Sequence, residues 1–260
     1  MKIIFPRSFL ILLTLAILVL HPTSWAQSIK TIDGLAEIPL DIYKSRESKA
    51  PTVVYAHGCS GYDNFDIKKA KLIRSWGYNV VVVEYTKGRG LSNKLGYDGR
   101  NITCSKDVAS LHHSYPQQLR ADDLIAVGNW VINQEWHTGK IAAIGFSLGG
   151  GAVEFLINDE RDINPYSAGV AFYPACRFRY FSNKKTLPNQ FHIGTLDEAY
   201  SRCLKFNSEL QRHNYFIYEN ATHAFDNDWI SNKNGYMYDR NSTDTAFVQV
   251  KRFLNAILKI

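Results

Sequence analysis

The sequence predicts an α/β protein with one mostly parallel sheet and helices on both of its faces. Runs of β-branched residues at 52–56 and 78–84 indicate strands that are buried on both sides. A stretch with helical spacing of apolar residues lies between them, and strands and helices continue to alternate along the chain. The 260 residues are 45% hydrophobic and 21% charged, enough for one such core.

The predicted elements follow one another without an internal repeat or a Pro-, Gly- or Ser-rich linker. Strands are predicted at 36–43 (an edge strand), 52–56, 78–84, 140–145, 168–172, 190–194 and 215–218. Helices are predicted at 67–76, 116–133, 148–158, 199–213 and 244–259. Two segments, 86–114 and 226–241, lack periodicity. Because long loops in a compact fold are often functional, both are candidate walls of a binding site.

Residues 1–26 have the features of a secretory signal peptide. Two basic residues precede an apolar run at 9–20, and the small residue Ala26 fits a cleavage site. As a helix this run would extend about 18 Å, less than the roughly 30 Å hydrocarbon core of a bilayer. We therefore expect a secreted or periplasmic protein, without a stable membrane anchor after cleavage, whose mature domain is 27–260.

Four cysteines form an even set in a chain that is expected to enter an oxidising compartment: Cys59, Cys104, Cys176 and Cys203. Disulfides are the expected outcome, and three connectivities are possible. Pairing in sequence order closes the shortest loops and is the connectivity that we predict. No C-x-x-C spacing occurs and no His pair stands beside a Cys at ligand spacing, so no metal site is expected.

The charge balance gives little indication of a partner. Lys and Arg number 30 against 24 Asp and Glu, a formal net charge of +6. The longest basic clusters are pairs such as Lys68-Lys69, whereas nucleic-acid binders concentrate basic residues into a stripe. No nucleic-acid partner is expected, and the oligomeric state stays open.

The strongest chemical motif is G-F-S-L-G at 145–149, which follows a buried strand and opens a predicted helix. A serine on such a sharp turn projects at the carboxyl end of the sheet, and the flanking glycines let strand and helix approach closely. The alternative is a glycine-rich turn with an ordinary capping serine. The Walker A and dinucleotide-binding patterns do not fit the spacing. Ser147 is therefore the candidate nucleophile.

A serine nucleophile needs a base, and the base needs an orienting carboxylate. Asp197 follows the strand at 190–194, and His223 follows the strand at 215–218, so both are expected at the same sheet edge as Ser147. Alone, Asp197 could be a helix cap and His223 a surface residue. Their joint placement in the order Ser, Asp, His predicts a catalytic triad, with Glu198 as the reserve acid.

The loop H-G-C-S-G at 57–61 directly follows the strand at 52–56. In this arrangement the loop and the residue after the nucleophile each donate a backbone N–H to the oxyanion, which assigns Cys59 and Leu148. A thiol nucleophile at Cys59 is the competing interpretation, but no elbow surrounds it and a disulfide would consume the sulfur. His57 is expected to shape the loop.

These motifs, with G-R-G at 88–90, A-F-Y-P-A-C at 171–176, G-T-L-D-E at 194–198 and T-H-A-F-D at 222–226, resemble the dienelactone hydrolase family over about 51–226. The resemblance implies a single-domain α/β-hydrolase fold, no metal or organic cofactor, and hydrolysis of esters or lactones. The family includes enzymes with a cysteine where this chain has Ser147, which favours a more general serine esterase over a dienelactone hydrolase.

Family members that bind a substrate carboxylate use arginines, so the resemblance makes Arg89 or Arg100 a candidate contact; loop surface charge is the alternative. Tyr97, Trp229 and Tyr236 fall in the two long loops and are candidates for lining the acyl pocket. The expected partner is a small-molecule ester or lactone. A small prolyl-peptidase-like enzyme, weakened by the lack of an extra propeller-sized domain, and a catalytically silent binding protein of the same fold stay as alternatives.

Overall fold

A computed structural model describes residues 27–90, 116–159, 161–176, 186–210, 213–229 and 235–259. The predicted signal peptide, the candidate contacts Tyr97 and Arg100, and Cys104 lie outside these residues. Most of the predicted loop at 86–114 lies outside them as well.

The described residues contain one sheet of eight strands in the order β1-β2-β4-β3-β5-β6-β7-β8. The six strands from β4 to β8 in that order run parallel, while β2 is antiparallel to both of its neighbours. This arrangement confirms the predicted mostly parallel sheet. The strands are β1 Gln27–Lys30, β2 Glu37–Tyr43, β3 Ala50–Ala56, β4 Asn79–Val83, β5 His137–Phe146, β6 Ala168–Phe172, β7 Asn189–Gly194 and β8 Tyr215–Tyr218.

Six helices accompany the sheet in the described residues: α1 Asn64–Ser75, α2 Tyr85–Gly88, α3 Gln117–Val131, α4 Leu148–Ile157, α5 Tyr200–Leu210 and α6 Arg240–Leu258. Helix α1 begins at a capping box in which Asp63 and Asp66 satisfy each other's backbone N–H groups. It ends before Gly77, which adopts φ +95°. None of the helices in the described ranges is both long and apolar enough to cross a membrane.

The largest differences from the sequence prediction concern β1, α2 and α6. Strand β1 was not expected, and because it pairs with β2, the prediction of β2 as an edge strand is wrong. The one-turn helix α2 lies at the start of the predicted loop 86–114. Helix α6 begins four residues earlier than expected because the Asp239 side chain accepts the Ser242 N–H as an N-cap.

The core lies on both faces of the sheet. Leu124 of α3 and Val153 of α4 belong to the apolar cluster on one face. Ile73 of α1 and Leu254 of α6 belong to the cluster on the other face. Helices therefore cover both faces, as the continuous apolar runs of the inner strands require.

Five stacked rings cross the face that α1 and α6 cover. Phe216, His192, Phe172, Phe146 and Tyr55 follow one another from β8 to β3, with successive ring centroids 5.0, 4.5, 4.7 and 5.1 Å apart. Such contacts add to the stabilisation from burial. The ladder includes the last residue of β5 and so fixes the end of the strand that leads into Ser147.

One disulfide joins Cys176, just after β6, to Cys203 of α5, with the two Cα atoms 5.2 Å apart. This confirms the predicted pairing of these two residues. Cys59 is also disulfide-bonded. Its predicted partner, Cys104, is outside the described residues.

Candidate active site

Ser147 occupies the sharp turn between β5 and α4, with φ 52° and ψ −109°. A non-glycine residue in the left-handed region of φ is strained and persists only where its surroundings impose it. A Cβ atom at Gly145 would lie 2.2 Å from the Gly149 carbonyl oxygen, and one at Gly149 would lie 2.2 Å from the Ala56 carbonyl oxygen. Both glycines are therefore required for the close packing of β5, α4 and β3.

Ser147, His223 and Asp197 form one chain of hydrogen bonds. The Nε2 atom of His223 lies 2.9 Å from Ser147 Oγ, and its Nδ1 atom lies 2.7 Å from Asp197 Oδ2. Because a carboxylate only accepts, the Nδ1 atom of His223 is the donor to Asp197, and in the tautomer with that single proton Nε2 accepts from the serine hydroxyl. The Asp197 side chain is fully buried, and the His223 side chain is 21% exposed.

The carboxylate in this chain belongs to Asp197 and not to Glu198. The second oxygen of Asp197 accepts the Ala199 N–H at 2.8 Å. This local bond lies in the turn before α5, which begins at Tyr200, so the two oxygens of Asp197 serve the turn and the imidazole at once. The backbone N–H bond fixes the carboxylate that orients the imidazole.

Two backbone segments adjoin Ser147: the start of α4 and the loop at 57–61. Leu148 is the first residue of α4, where N–H groups have no acceptor within the helix. A Cβ atom at Gly58 would lie 3.8 Å from Ser147 Cβ, so the loop that contains Gly58 and Cys59 passes beside the serine. An oxyanion site requires two N–H donors that converge beside the nucleophile. The assignment of Cys59 and Leu148 as these donors stays a prediction.

His57 is fully buried behind that loop. Its ring stacks on Tyr85 with centroids 4.4 Å apart, and its Nδ1 lies 2.7 Å from the Gly58 carbonyl oxygen, to which it donates. Tyr85 Oη donates in turn to the His57 carbonyl oxygen. Burial lowers the pKa of His57 to about 4, so its imidazole is neutral at pH 7. These contacts are consistent with the expected role of His57 in shaping the loop.

The profile of the dienelactone hydrolase family matches residues 40–258. The chain belongs to the dienelactone hydrolase family. No curated protein matched it in a sequence comparison. Membership and fold together make the protein an α/β hydrolase.

Solved structures share the fold of this dienelactone hydrolase family member at low sequence identity. A dienelactone hydrolase-like promiscuous phosphotriesterase from metagenomic libraries has 13% identity and a TM-score of 0.64, covering 90% of this chain and 98% of its own. A dienelactone hydrolase from Anabaena variabilis has 14% identity and a TM-score of 0.62, with 91% and 98% covered. An esterase from Pyrococcus furiosus has 16% identity and a TM-score of 0.58, with 90% and 92% covered. These likenesses show the α/β-hydrolase fold.

In this family member Arg89 lies among carboxylates. Its Nε and Nη2 atoms donate to the two oxygens of Asp123 at 2.8 and 2.5 Å, and its Nη1 donates to Asp33 at 2.9 Å. The two-pronged bond joins α2 to α3, and the third joins both to the turn between β1 and β2. This geometry favours a structural role for Arg89; a contact with substrate stays a prediction.

Two of the loop aromatics that the sequence singled out, Tyr236 and Trp229, lie within the described residues. The Tyr236 ring lies 5.6 Å from the His223 ring. Burial, followed by the charges of Glu198 and Asp197, raises the pKa of Tyr236. Trp229 is 46% exposed, and its ring faces the Lys68 ammonium at 5.2 Å. Tyr236 therefore borders the histidine, and the lining of an acyl pocket by either aromatic residue stays a prediction.

Tyr173 is a neighbour of the site that the sequence prediction missed. Its ring lies 4.7 Å from the His223 ring, and its backbone has φ 37°. Tyr173 follows β6 directly, at the same sheet edge as Ser147. This position after a parallel strand could have indicated from the sequence that Tyr173 lies near the site. Within the described ranges, no group of three or more His, Cys, Asp or Glu side chains is arranged to hold a metal ion.

Proposed function

We propose that this protein is an exported serine hydrolase that cleaves carboxylic esters or lactones through an acyl-enzyme. The observation that carries the proposal is the hydrogen-bond chain from Asp197 through His223 to Ser147, with the serine on a strained turn. The dienelactone hydrolase and the esterase among the structural neighbours support this class of substrate.

The proposed acylation begins when Ser147 Oγ attacks the substrate carbonyl carbon. The hydroxyl proton passes over 2.9 Å to His223 Nε2, and Asp197 stabilises the imidazolium that forms. The carbonyl oxygen becomes an oxyanion that accepts the N–H groups of Leu148 and Cys59. When the tetrahedral intermediate collapses, the ester C–O bond breaks, and His223 Nε2 returns the proton to the leaving alkoxide.

Deacylation uses the same groups. His223 Nε2 removes a proton from a water molecule while the water oxygen attacks the acyl carbon of Ser147. The oxyanion again accepts the two backbone N–H groups, and Ser147 Oγ leaves with the proton from His223. For a lactone the alcohol and the acid belong to one product molecule.

Export is part of the proposal. It is supported by the signal-peptide features of residues 1–26 and by disulfide bonding at Cys59, Cys176 and Cys203, since such bonds persist in oxidising compartments. Fractionation of cells that express the full chain, followed by N-terminal sequencing, tests it. The expected mature N-terminus is Gln27 outside the cytoplasm, whereas intact protein in the cytoplasm would contradict export.

The catalytic proposal is tested by turnover of nitrophenyl acetate, butyrate and octanoate and of a small lactone. Ser147→Ala should lower kcat/KM by at least about 10³-fold, while the matched control Ser28→Ala, on exposed strand β1, should not change it. A nitroanilide peptide and a phosphotriester added to the panel compare other substrate classes. Ester turnover that survives Ser147→Ala, or peptide turnover that exceeds ester turnover, would overturn the proposal.

A further inference from the structure

A fully buried ion pair lies beside the candidate active site. The Lys69 side chain, on α1, is 6% exposed, and the Asp226 side chain with which it pairs is 0% exposed. The Lys69 ammonium also faces the ring of Phe65 at 3.6 Å and that of Phe146 at 3.8 Å. Taking two charges out of water is costly, so a buried pair of this kind is weak evidence for added stability.

Asp226 connects this pair to the histidine. Its Oδ1 accepts the Tyr173 hydroxyl at 2.7 Å, and its Oδ2 accepts the Lys69 ammonium. The Tyr173 ring in turn lies 4.7 Å from the His223 ring. Asp226 is three residues after His223 in the chain, and Ala224 between them has φ 54°. The loop that carries the base is therefore held in a strained conformation with a buried anchor at its end.

The same ammonium touches the strand that carries the serine. Phe146, whose ring it faces, immediately precedes Ser147. One cation thus contacts both segments whose relative position sets the 2.9 Å separation of Ser147 Oγ and His223 Nε2. A shift of either segment would change that separation.

The surroundings support the charged form of the lysine although burial opposes it. Burial lowers the pKa of Lys69, and the negative charge and the hydrogen bond of Asp226 act in the opposite direction. Asp66 and Asp63 act in the same sense as Asp226 but less, and burial raises the pKa of Asp66 itself to about 7. Asp66 is itself anchored, because it accepts the Tyr55 hydroxyl at 2.6 Å. The ammonium consequently meets the Asp226 carboxylate and the rings of Phe65 and Phe146 instead of solvent.

We propose that Lys69, Asp226 and Tyr173 are positioning residues that hold the His223 imidazole in register with Ser147. The inference rests on the proposed function, since it assigns a role in the same reaction. Apolar side chains of equal volume would fill this space at least as stably as the Lys69–Asp226 ion pair. A positioning role explains the pair, because positioning requires directional bonds that apolar side chains do not make. Misplacement of a reacting group by about 1 Å can cost on the order of 100-fold in rate.

The test compares near-isosteric variants of the secreted, disulfide-bonded enzyme. Lys69→Met and Asp226→Asn should each lower kcat for a nitrophenyl ester by about 10- to 100-fold and change KM by less than about 3-fold. Tyr173→Phe, which keeps the ring and removes the hydroxyl, should have a smaller effect of the same kind. Lys71→Met is the matched control, because this lysine lies on the same helix and is exposed.

A double variant separates positioning from stability. Lys69→Met with Asp226→Asn removes both buried charges but keeps an acceptor for Tyr173, so its thermal stability should recover relative to either single variant. Its kcat should nevertheless stay at least 10-fold below wild type. Recovery of kcat together with stability, or wild-type kcat in folded Asp226→Asn, would overturn the positioning role. A wild-type enzyme without ester turnover would overturn the proposed function and this inference with it.

Discussion

The Cys176–Cys203 disulfide ties the segment after β6 to helix α5, and its removal should lower the free energy of unfolding by at least about 3.6 kcal/mol. The two cysteines are 27 positions apart, so the closed loop contains 28 residues, counting both ends. The loss of unfolded-chain entropy on closing such a loop is about 12 cal/mol/K, which gives that figure at 25 °C. Both cysteines are fully buried, so the sulfur atoms that are lost add to the cost.

The perturbation is the double variant Cys176→Ala with Cys203→Ala. Reduction of the wild type is less specific because Cys59 is also disulfide-bonded. Urea unfolding of the oxidised wild type and the double variant gives the difference in free energy of unfolding. In a chain of this size the midpoint of thermal unfolding should fall by about 7 to 14 °C.

A difference below about 1 kcal/mol would refute the loop-entropy reasoning. It would show that the unfolded chain gains little freedom when the bond is absent, as happens when residual structure already restrains it. Turnover measured well below the midpoint serves as the internal control. It should be retained, because Asp197 is held by the Ala199 N–H and by His223 rather than by the disulfide.

Other parts of the structure predict equally specific outcomes. Burial lowers the pKa of His192 to about 3, whereas the ordinary value is about 6.5. Between these two pH values the unfolded chain binds a proton that the folded chain does not, so the free energy of unfolding falls as the pH falls, by up to about 1.4 kcal/mol per pH unit. Urea titrations at several pH values should show a shallower acid slope for His192→Gln; equal slopes would contradict the argument. Asp197→Asn should lower kcat for esters by about 10⁴-fold without unfolding the protein, since an amide cannot hold the same imidazole tautomer; a loss below 10-fold in steady-state kinetics would count against it. Gly149→Ala should not accumulate as folded protein, because its Cβ would lie 2.2 Å from a backbone oxygen of β3, whereas Gly58→Ala should give a native circular dichroism spectrum. Equal yields of the two glycine variants would show that the turn is less tightly packed.

The inner strands could be predicted because their burial on both faces leaves continuous apolar runs. Strands β6 and β8 have the predicted bounds, and β3, β5 and β7 extend the predicted ranges. Strand β1 could not be predicted, because among its four residues Ile29 alone is buried and the strand exists only through its pairing with β2. The true start of α6 depends on one capping side chain, Asp239, which periodicity does not reveal.

For the candidate site, too, some features could be predicted from the sequence and others could not. Ser147, Asp197 and His223 each follow a strand's carboxyl end, so parallel topology alone placed them at one edge of the sheet. The pairing of Lys69 with Asp226 joins residues 157 positions apart, on a helix and a loop. No local pattern encodes such a contact. The contact arises only from the packing of α1 against the loop after β8.

The central claim is that Ser147 carries the acyl group, and peptide mapping of the trapped enzyme tests it most directly. The protein is mixed with a nitrophenyl ester and quenched in acid, or treated with a fluorophosphonate, and its unreduced digest is analysed by mass spectrometry. One adduct per chain is expected, on Ser147, and none in Ser147→Ala. An adduct on another residue, such as Cys59, or equal labelling of Ser147→Ala would contradict it.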